Sequence, residues 1–499
     1  MRSWGGAIVL DFRVEWRGGG VAVELPLAAP RPFSQLPAGQ SYPWASALTW
    51  YGETQFLRRG SSPPLPFLDH RYSGAMLQLH QTFTLYLAIA AGTSLAGAQS
   101  VFVVDPSGAG DFPSIQAGVL SAANGDTLLV RSGSYGPVTV TGKGLSIVAD
   151  RDAAVIVQGG VQLSNTLLSH QIHLSGLRLM GNYSPEGGTE HGLRADVVRG
   201  PLRVQDCNLL GAQGQGYTGT NDHGGDGARL TNVLDAAFVR CSLLAGDGGS
   251  SFDGTAFLQR SGHGLWAEGG RVVLQGCELV AGDSMEFDIS TCDFGGQQGH
   301  GAYVLNATLY ASGTHMEGGR GGTEGFCSVT FSGGDGLRAE GKASATVLDC
   351  ELVGGPNNAC NAGEGQPSVA LDGATISFLS GAARSIQIPS PSRSGDQEVL
   401  RVEAEPLDFA WLLVSFHPGF RNLTPAFSGP LLVGTPLAAP RRVLGAVPAS
   451  GVLQVPIGAP TPFPGALSLD LHCQLFVVDA SGAVRLGDAQ RWTTFDPSL

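Results

Sequence analysis

Positive charge is what this 499-residue chain has little of: 29 Lys and Arg stand against 42 Asp and Glu, for a formal net charge of −13. Nucleic acids and anionic membrane surfaces recruit basic patches, so neither is expected as a partner. Long apolar runs are also scarce. Outside residues 76–98 none reaches the roughly 18 residues that span a bilayer, so no membrane span is expected. The eight cysteines include no CxxC pair, which removes the usual zinc and dithiol motifs. Tryptophan is rare and unevenly placed: of seven, four fall in the first 75 residues, and between residues 99 and 387 Trp266 stands alone. What the chain has in excess is glycine, 74 residues, about twice average usage. With 42% of residues hydrophobic, that describes a chain that turns often and still buries a core, not a disordered one.

The glycines belong to a repeat. His191-Gly-Leu-Arg-Ala, Asp226-Gly-Ala-Arg-Leu, His263-Gly-Leu-Trp-Ala, His300-Gly-Ala-Tyr-Val and Asp335-Gly-Leu-Arg-Ala are versions of one phrase, spaced 35, 37, 37 and 35 residues apart. A second phrase follows, as Val204-Gln-Asp-Cys-Asn-Leu-Leu-Gly, Val239-Arg-Cys-Ser-Leu-Leu-Ala-Gly, Leu274-Gln-Gly-Cys-Glu-Leu-Val-Ala-Gly and Val347-Leu-Asp-Cys-Glu-Leu-Val-Gly, with Thr314 near the cysteine position of the remaining copy. A fixed period of this length signals a solenoid, and period-2 alternation makes its elements strands. Short parallel strands stacked coil on coil form a β-helix. Cys207, Cys241, Cys277 and Cys350 hold one place in the repeat and are expected to stack inside as small apolar residues. Each coil then spends a Gly-rich loop (213–225, 247–262, 283–299, 317–334, 354–366), and all should emerge on one side.

Alternation sorts the side chains. Leu193, Ala228, Leu265, Ala302 and Leu337 point inward, as do Ala195, Leu230, Ala267, Val304 and Ala339. The outward columns are Arg194, Arg229, Trp266, Tyr303, Arg338 and then Asp196, Thr231, Glu268, Leu305, Glu340. Coils about 4.8 Å apart would merge these into a strip of guanidinium groups, aromatics and carboxylates. Aromatics beside polar groups suit stacking on sugar rings, and Arg forks onto carboxylates such as those of uronates. Arg194, Arg229, Trp266, Glu268, Tyr303, Arg338 and Glu340 are therefore the candidate substrate-binding residues; the bland alternative is a solvated, charge-paired sheet surface. The recurring His or Asp before glycine (His191, Asp226, His263, His300, Asp335) suits a general base or metal ligand in type, but its regular recurrence favours a corner that caps backbone groups. No cofactor is called for, although the loop carboxylates Asp222, Asp247, Asp253, Asp283, Glu286 and Asp288 leave Ca²⁺ open, or a glycosidase-type acid pair.

Along the chain, residues 1–75 show no sustained period and read as an upstream extension with little structure. Residues 76–98 look like a secretory signal: an apolar core from Phe83 to Ala91 and an A-x-A site at Ala96-Gly-Ala98. The protein is thus expected outside the cell or at its surface, where a disulfide among Cys292, Cys327 and Cys360 is one option. Then comes Asp105-Pro-Ser-Gly-Ala-Gly-Asp-Phe-Pro-Ser-Ile-Gln, with Asp111 read as helix N-cap and Ile115, Val119 and Ala122 on one face. Gly125-Asp-Thr and Gly133-Ser-Tyr follow. This segment resembles the N-terminal part of the pectin lyase-like right-handed parallel β-helix superfamily, in which a short helix covers the first coil. The resemblance covers roughly residues 101–385 and implies an exported, polysaccharide-active relative, but the catalytic signatures do not follow. Gly262-His-Gly264 and Gly299-His-Gly301 match the polygalacturonase GHG, yet they sit at the repeat position. Thr220-Asn-Asp222 has the wrong order for NTD, and neither an Asp-Asp pair nor RxK accompanies it. Pectinesterase-like motifs are absent, and Gly333-Gly-Asp-Gly-Leu-Arg338 lacks the final Asp of the Ca²⁺ nonapeptide.

Residues 388–396 read as a linker by composition, and 397–499, with several strand-like runs, as a small β-sandwich. The expected fold is all-β: a parallel β-helix over 99–387 with an N-terminal helix cap, then the sandwich. Two functions are consistent with it, a protein that binds or processes polysaccharide at the outward strip, or a non-catalytic surface or adhesive protein using the solenoid as a scaffold. The oligomeric state is open.

Overall fold

The computed structural model describes residues 13–17, 20–24, 99–182, 190–214, 223–248, 260–284, 298–321, 323–324, 329–330, 332–357, 363–422, 428–434 and 442–499. The chain forms two compact units, Met1–Met76 and Leu77–Leu499. The first contains an antiparallel hairpin, Arg13–Arg17 with Gly20–Glu24. The signal-like stretch 76–98 lies outside the described residues.

The second unit opens with a parallel β-helix. The first phrase forms one ladder, in register Leu193↔Ala228↔Leu265↔Ala302↔Leu337↔Ser368. The residues before each cysteine form a second, Leu202↔Ala236↔Val272↔Leu309↔Ala345↔Ile376. Those after it form an eight-stranded third, which includes Asn208–Leu210, Ser242–Leu244, Glu278–Val280, His315–Glu317 and Glu351–Val353. The inward columns are as the alternation requires: Leu193, Ala228, Leu265, Ala302, Leu337 and Ala195, Leu230, Ala267, Val304, Ala339 are all fully buried.

The corners explain the rest of the repeat. Before each cysteine the chain turns through a left-handed residue: Asp206, Arg240, Gly276, Gly313 and Asp349 all have φ between 50° and 59°. The next side chain must be small, and it donates back to the carbonyl two residues earlier: Cys207 to Gln205, Cys241 to Val239, Cys277 to Gln275, Cys350 to Leu348. Thr314 does the same to Ser312 at 3.0 Å, so the divergent copy preserves the bond with a hydroxyl. Burial pushes the Cys207 thiol up to about 12 and the Cys350 thiol up to about 11, so these two are packing groups rather than nucleophiles.

At the third corner the Gly-rich necks of the loops interlock. Gly246 N–H donates to Gly225 O, Gly262 to Gly246, Gly282 to Gly262, Gly319 to Gly299, Gly334 to Gly319 and Gly355 to Gly334. The outgoing neck of one coil thus bonds the incoming neck of another, along the solenoid axis. A Cβ on Gly262 would stand 2.0 Å from Gly225 O, and one on Gly246 1.8 Å from Ala212 O. Glycine is required here by close backbone approach, not by turn geometry. Asp247 and Asp283 belong to the same structure: Asp247 Oδ1 accepts from Asp283 N at 2.8 Å, and Asp283 Oδ1 from Arg320 N at 2.7 Å. Asp222, Asp253, Glu286 and Asp288, and the cysteines 292, 327 and 360, lie outside the described residues. Among the described residues no cluster of His, Cys, Asp or Glu is arranged to hold a metal ion.

The single α-helix among the described residues is Ile115–Ser121. Its N-cap is Ser114, whose hydroxyl accepts from Ala117 N, and not Asp111. Asp111 is already engaged by Val103 N at 2.7 Å, holding the turn before the helix. Ile115 and Val119 pack onto the first coils as expected.

The C-terminal region is a two-sheet sandwich. Ser385–Gln387, Gln397–Glu403 and Val452–Gly458 form one sheet; Ser392–Arg393, Val484–Phe495, Ser468–Val478, Phe409–Ser415 and Arg442–Ala446 form the other. Ile386, Leu400, Val402 and Ile457 meet Leu412, Cys473, Leu475, Val477 and Trp492 between them. The stretch 388–396, expected as a linker, carries Ser392–Arg393, paired with the end of Val484–Phe495. The sandwich does not sit at the end of the solenoid; it lies along its flank. Gln205 Oε1 accepts from Arg491 N and Gln275 Oε1 from Ala489 N, both at 2.9 Å. Phe495 packs with Val101, Leu129 and Val148 of the first coils. The last strand therefore runs along the second ladder and leaves the first-phrase ladder open.

Candidate functional site

Each first-phrase corner is held to the next by a side chain. His191 Nδ1 accepts from Asp226 N, Asp226 Oδ1 from His263 N, His263 Nδ1 from His300 N, His300 Nδ1 from Asp335 N, and Asp335 Oδ1 from Gln366 N, at 2.8–3.0 Å. The His/Asp column is a hydrogen-bonded ladder that satisfies buried backbone N–H groups, as its recurrence suggested.

The same residues choose their outward neighbours three positions on. Where the corner is Asp, the neighbour is Arg: Arg229 donates to Asp226 at 3.2 Å and Arg338 to Asp335 at 3.3 Å. Where it is His at the centre of the solenoid, the neighbour is aromatic. His263 meets Trp266 with centroids 5.1 Å apart, His300 meets Tyr303 at 5.9 Å, the two imidazoles stack at 5.3 Å, and Trp266 meets Tyr303 at 4.5 Å. His191, beside Arg194, turns to Glu190 at 3.1 Å. Among the described residues the four-ring cluster occurs once, with ion-paired arginines on both sides.

A cleft of about 270 Å³ opens over this cluster, lined by Arg260, Ser261, His263, Trp266, Gln298, His300, Tyr303, Arg338 and Glu340. Of the candidates, Trp266, Tyr303, Arg338 and Glu340 line it. Arg229 lies beneath, its guanidinium carbon 4.6 Å from the Trp266 ring centre. Arg194 donates to Asp196 at 2.8 Å two coils away, and Glu268, opposite Leu305, is not part of the wall. His263, His300, Arg260, Ser261 and Gln298 are wall residues that the strip pattern did not single out.

The electrostatics are one-sided. Burial holds His263 well below the usual imidazole range, aided by His300, Arg229, Arg260 and Arg338; burial and Arg338 bring His300 to about 3. Both rings are therefore neutral. Because each Nδ1 accepts a backbone hydrogen bond, the ring proton sits on Nε2. Trp266 Nε1–H is buried without a partner. The floor thus offers imidazole N–H donors beside the guanidinium groups of Arg260 and Arg338, with the unpartnered indole N–H buried among them. Its carboxylate, Glu340, is held by Tyr303 Oη and Arg338 Nε, each at 2.6 Å. Burial works to raise the Glu340 pKa, but these two bonds and the Arg338 charge outweigh it and keep it ionised. Burial, then the bond to Glu340, push the Tyr303 phenol up.

Trp266 has the Arg229 guanidinium of the preceding coil 4.6 Å from its ring centre and the Tyr303 ring of the following coil at 4.5 Å. Among the described lining residues a single carboxylate occurs, and it is ionised and doubly bonded, so these residues supply no proton-donating partner for a glycosidase pair.

No family model matches the chain, and no curated protein matches it. Among solved structures, the crystal structure of pectate lyase Pel9A is similar over 59% of this chain and 80% of that chain, with 10% sequence identity and a TM-score of 0.31. A likeness of that size carries no argument about chemistry.

Proposed function

We propose that this is an exported β-helix protein that binds polysaccharide in the cleft over His263, Trp266, His300 and Tyr303. The observation that carries the reading is the set of donors gathered there: a neutral imidazole pair with its protons on Nε2, an indole N–H with no partner, and the Arg260 guanidinium beside the ion-paired Arg338, around a cleft the size of a small ligand site. Sugar hydroxyls and uronate carboxylates present the acceptors such a floor needs. Binding is favoured over processing, because Glu340 is tied to Tyr303 and Arg338 as an acceptor and cannot deliver a proton. The stiff corner ladder under the floor suits a pre-organised binding site. A purely structural role would leave the cleft without a ligand.

The test is a polysaccharide array probed with the full chain and with Trp266→Ala, read for retained protein and for released product. The reading expects retention on acidic or densely hydroxylated glycans, lost in the variant, with no product. Absence of retention on any glycan would refute it, and release of unsaturated or reducing ends would replace binding with catalysis.

A further inference from the structure

We propose that the C-terminal end of the solenoid is a self-association surface, on which two copies of this chain pair tail to tail about a twofold axis through the edge strand Thr375–Leu379. One interior column runs Val204↔Phe238↔Leu274↔Ala311↔Val347↔Phe378. Its first five members are at most 2% exposed, yet Phe378 is 63% exposed. The same break occurs in a second column, where Ala195, Leu230, Ala267, Val304 and Ala339 are fully buried and Ala370 is exposed. Among the described residues no further coil covers these core positions. Ser368–Ala370 and Thr375–Leu379 each pair on one side only, and the sandwich, lying along the flank, leaves this end uncovered.

An open edge beside open core is the feature that soluble β-proteins blunt with lysine, proline or a bulge. Here Ser368-Val-Ala and Thr375-Ile-Ser-Phe-Leu contain no charge and no proline. Two identical edges therefore meet without like-charge contacts, which is the complementarity an isologous interface requires. The other end of the solenoid cannot serve as the partner. The helix Ile115–Ser121 covers it with Ile115 and Val119 at 1% and 2% exposure, so head-to-tail stacking into a filament is blocked. A twofold axis across the open end reverses the strand direction. Thr375–Leu379 would then pair antiparallel with its own copy, Ser377 would lie near the axis, and the Phe378 side chains would close both cores.

Sedimentation velocity of the full chain over a wide concentration range tests this, with Phe378→Lys and Ser377→Cys checked for native circular dichroism. The expected result is a reversible dimer, weakened about tenfold or more by Phe378→Lys. Ser377→Cys should give a covalent dimer on mild oxidation that the natural chain does not give. A natural chain that stays monomeric throughout would overturn the proposal. So would a dimer that Phe378→Lys leaves intact and Ser377→Cys does not crosslink.

Discussion

Asp488 is the most informative single titration in the molecule. It lies where the sandwich meets the solenoid, 2% exposed, in a cavity of about 380 Å³ lined also by Arg240, Asp349, Arg401 and Glu403. Its carboxylate accepts no hydrogen bond among the described residues. Arg240, the cation that faces it, is committed to Asp206 at 2.8 and 2.9 Å. Burial raises the Asp488 pKa from 3.8 to about 7; Arg240 opposes the rise and Glu403 adds to it. The folded chain therefore holds a proton that the unfolded chain releases, so stability from this group is fully present below pH 3.8 and is lost as pH rises to about 7. The change corresponds to about 4 kcal/mol as an upper figure. For a cooperative unit of about 400 residues that is roughly 5 °C in melting temperature. Asp488→Asn removes the titration and keeps the shape. Its melting temperature, followed by calorimetry from pH 4.5 to pH 8, should gain on the natural protein as pH rises, by up to about 5 °C. Parallel melting curves for the two proteins would refute the reasoning, since a carboxyl already ionised in the fold contributes no such slope.

Three further outcomes follow from the fold. Gly262→Ala drives a Cβ to 2.0 Å from Gly225 O and should cost about 3 kcal/mol or abolish soluble expression, whereas Gly136→Ala, with nothing within 4 Å, should melt like the natural chain. Asp226→Ala strands the His263 N–H and the Arg229 charge and should cost about 2–3 kcal/mol by denaturant titration, while Asp226→His, the residue used at the neighbouring corners, should recover most of it. Mass spectrometry of protein secreted by an expression host should find a chain beginning at Gln99; an intact 76–98 segment on secreted protein would contradict the signal reading.

The solenoid was legible because period and alternation report on single side chains. Leu193 to Leu337 had to face one way and Arg194 to Arg338 the other, whatever surrounded them. The corner ladder was legible from recurrence, since a position filled five times by His or Asp serves every coil alike. What escaped depends on partners distant in sequence. Nothing local says that Gly246 approaches Ala212 O, so the neck glycines read only as turn residues. Gln205 and Gln275 look like solvated outward residues until Arg491 and Ala489 are laid against them. Asp111 has the right chemistry for an N-cap but is claimed by Val103, which passes the role to Ser114. At the site, Trp266 and Tyr303 stood out by breaking a column of arginines. The pairing of Asp226 and Asp335 with Arg, and of His263 and His300 with an aromatic, three residues on was also in the sequence. What only the fold adds is that His263 and His300 serve twice, with Nδ1 in the ladder and Nε2–H left over for the cleft.

That leftover set of donors is the centre of the functional account, and Trp266→Phe isolates it. The substitution keeps an aromatic ring between Arg229 and Tyr303 and deletes the indole N–H. Calorimetric titration with a glycan retained on the array should show affinity about tenfold weaker, the loss of one hydrogen bond worth about 1.4 kcal/mol, with the melting temperature little changed. Affinity equal to that of the natural chain would contradict the account, because it would mean that the ring and not its N–H meets the ligand.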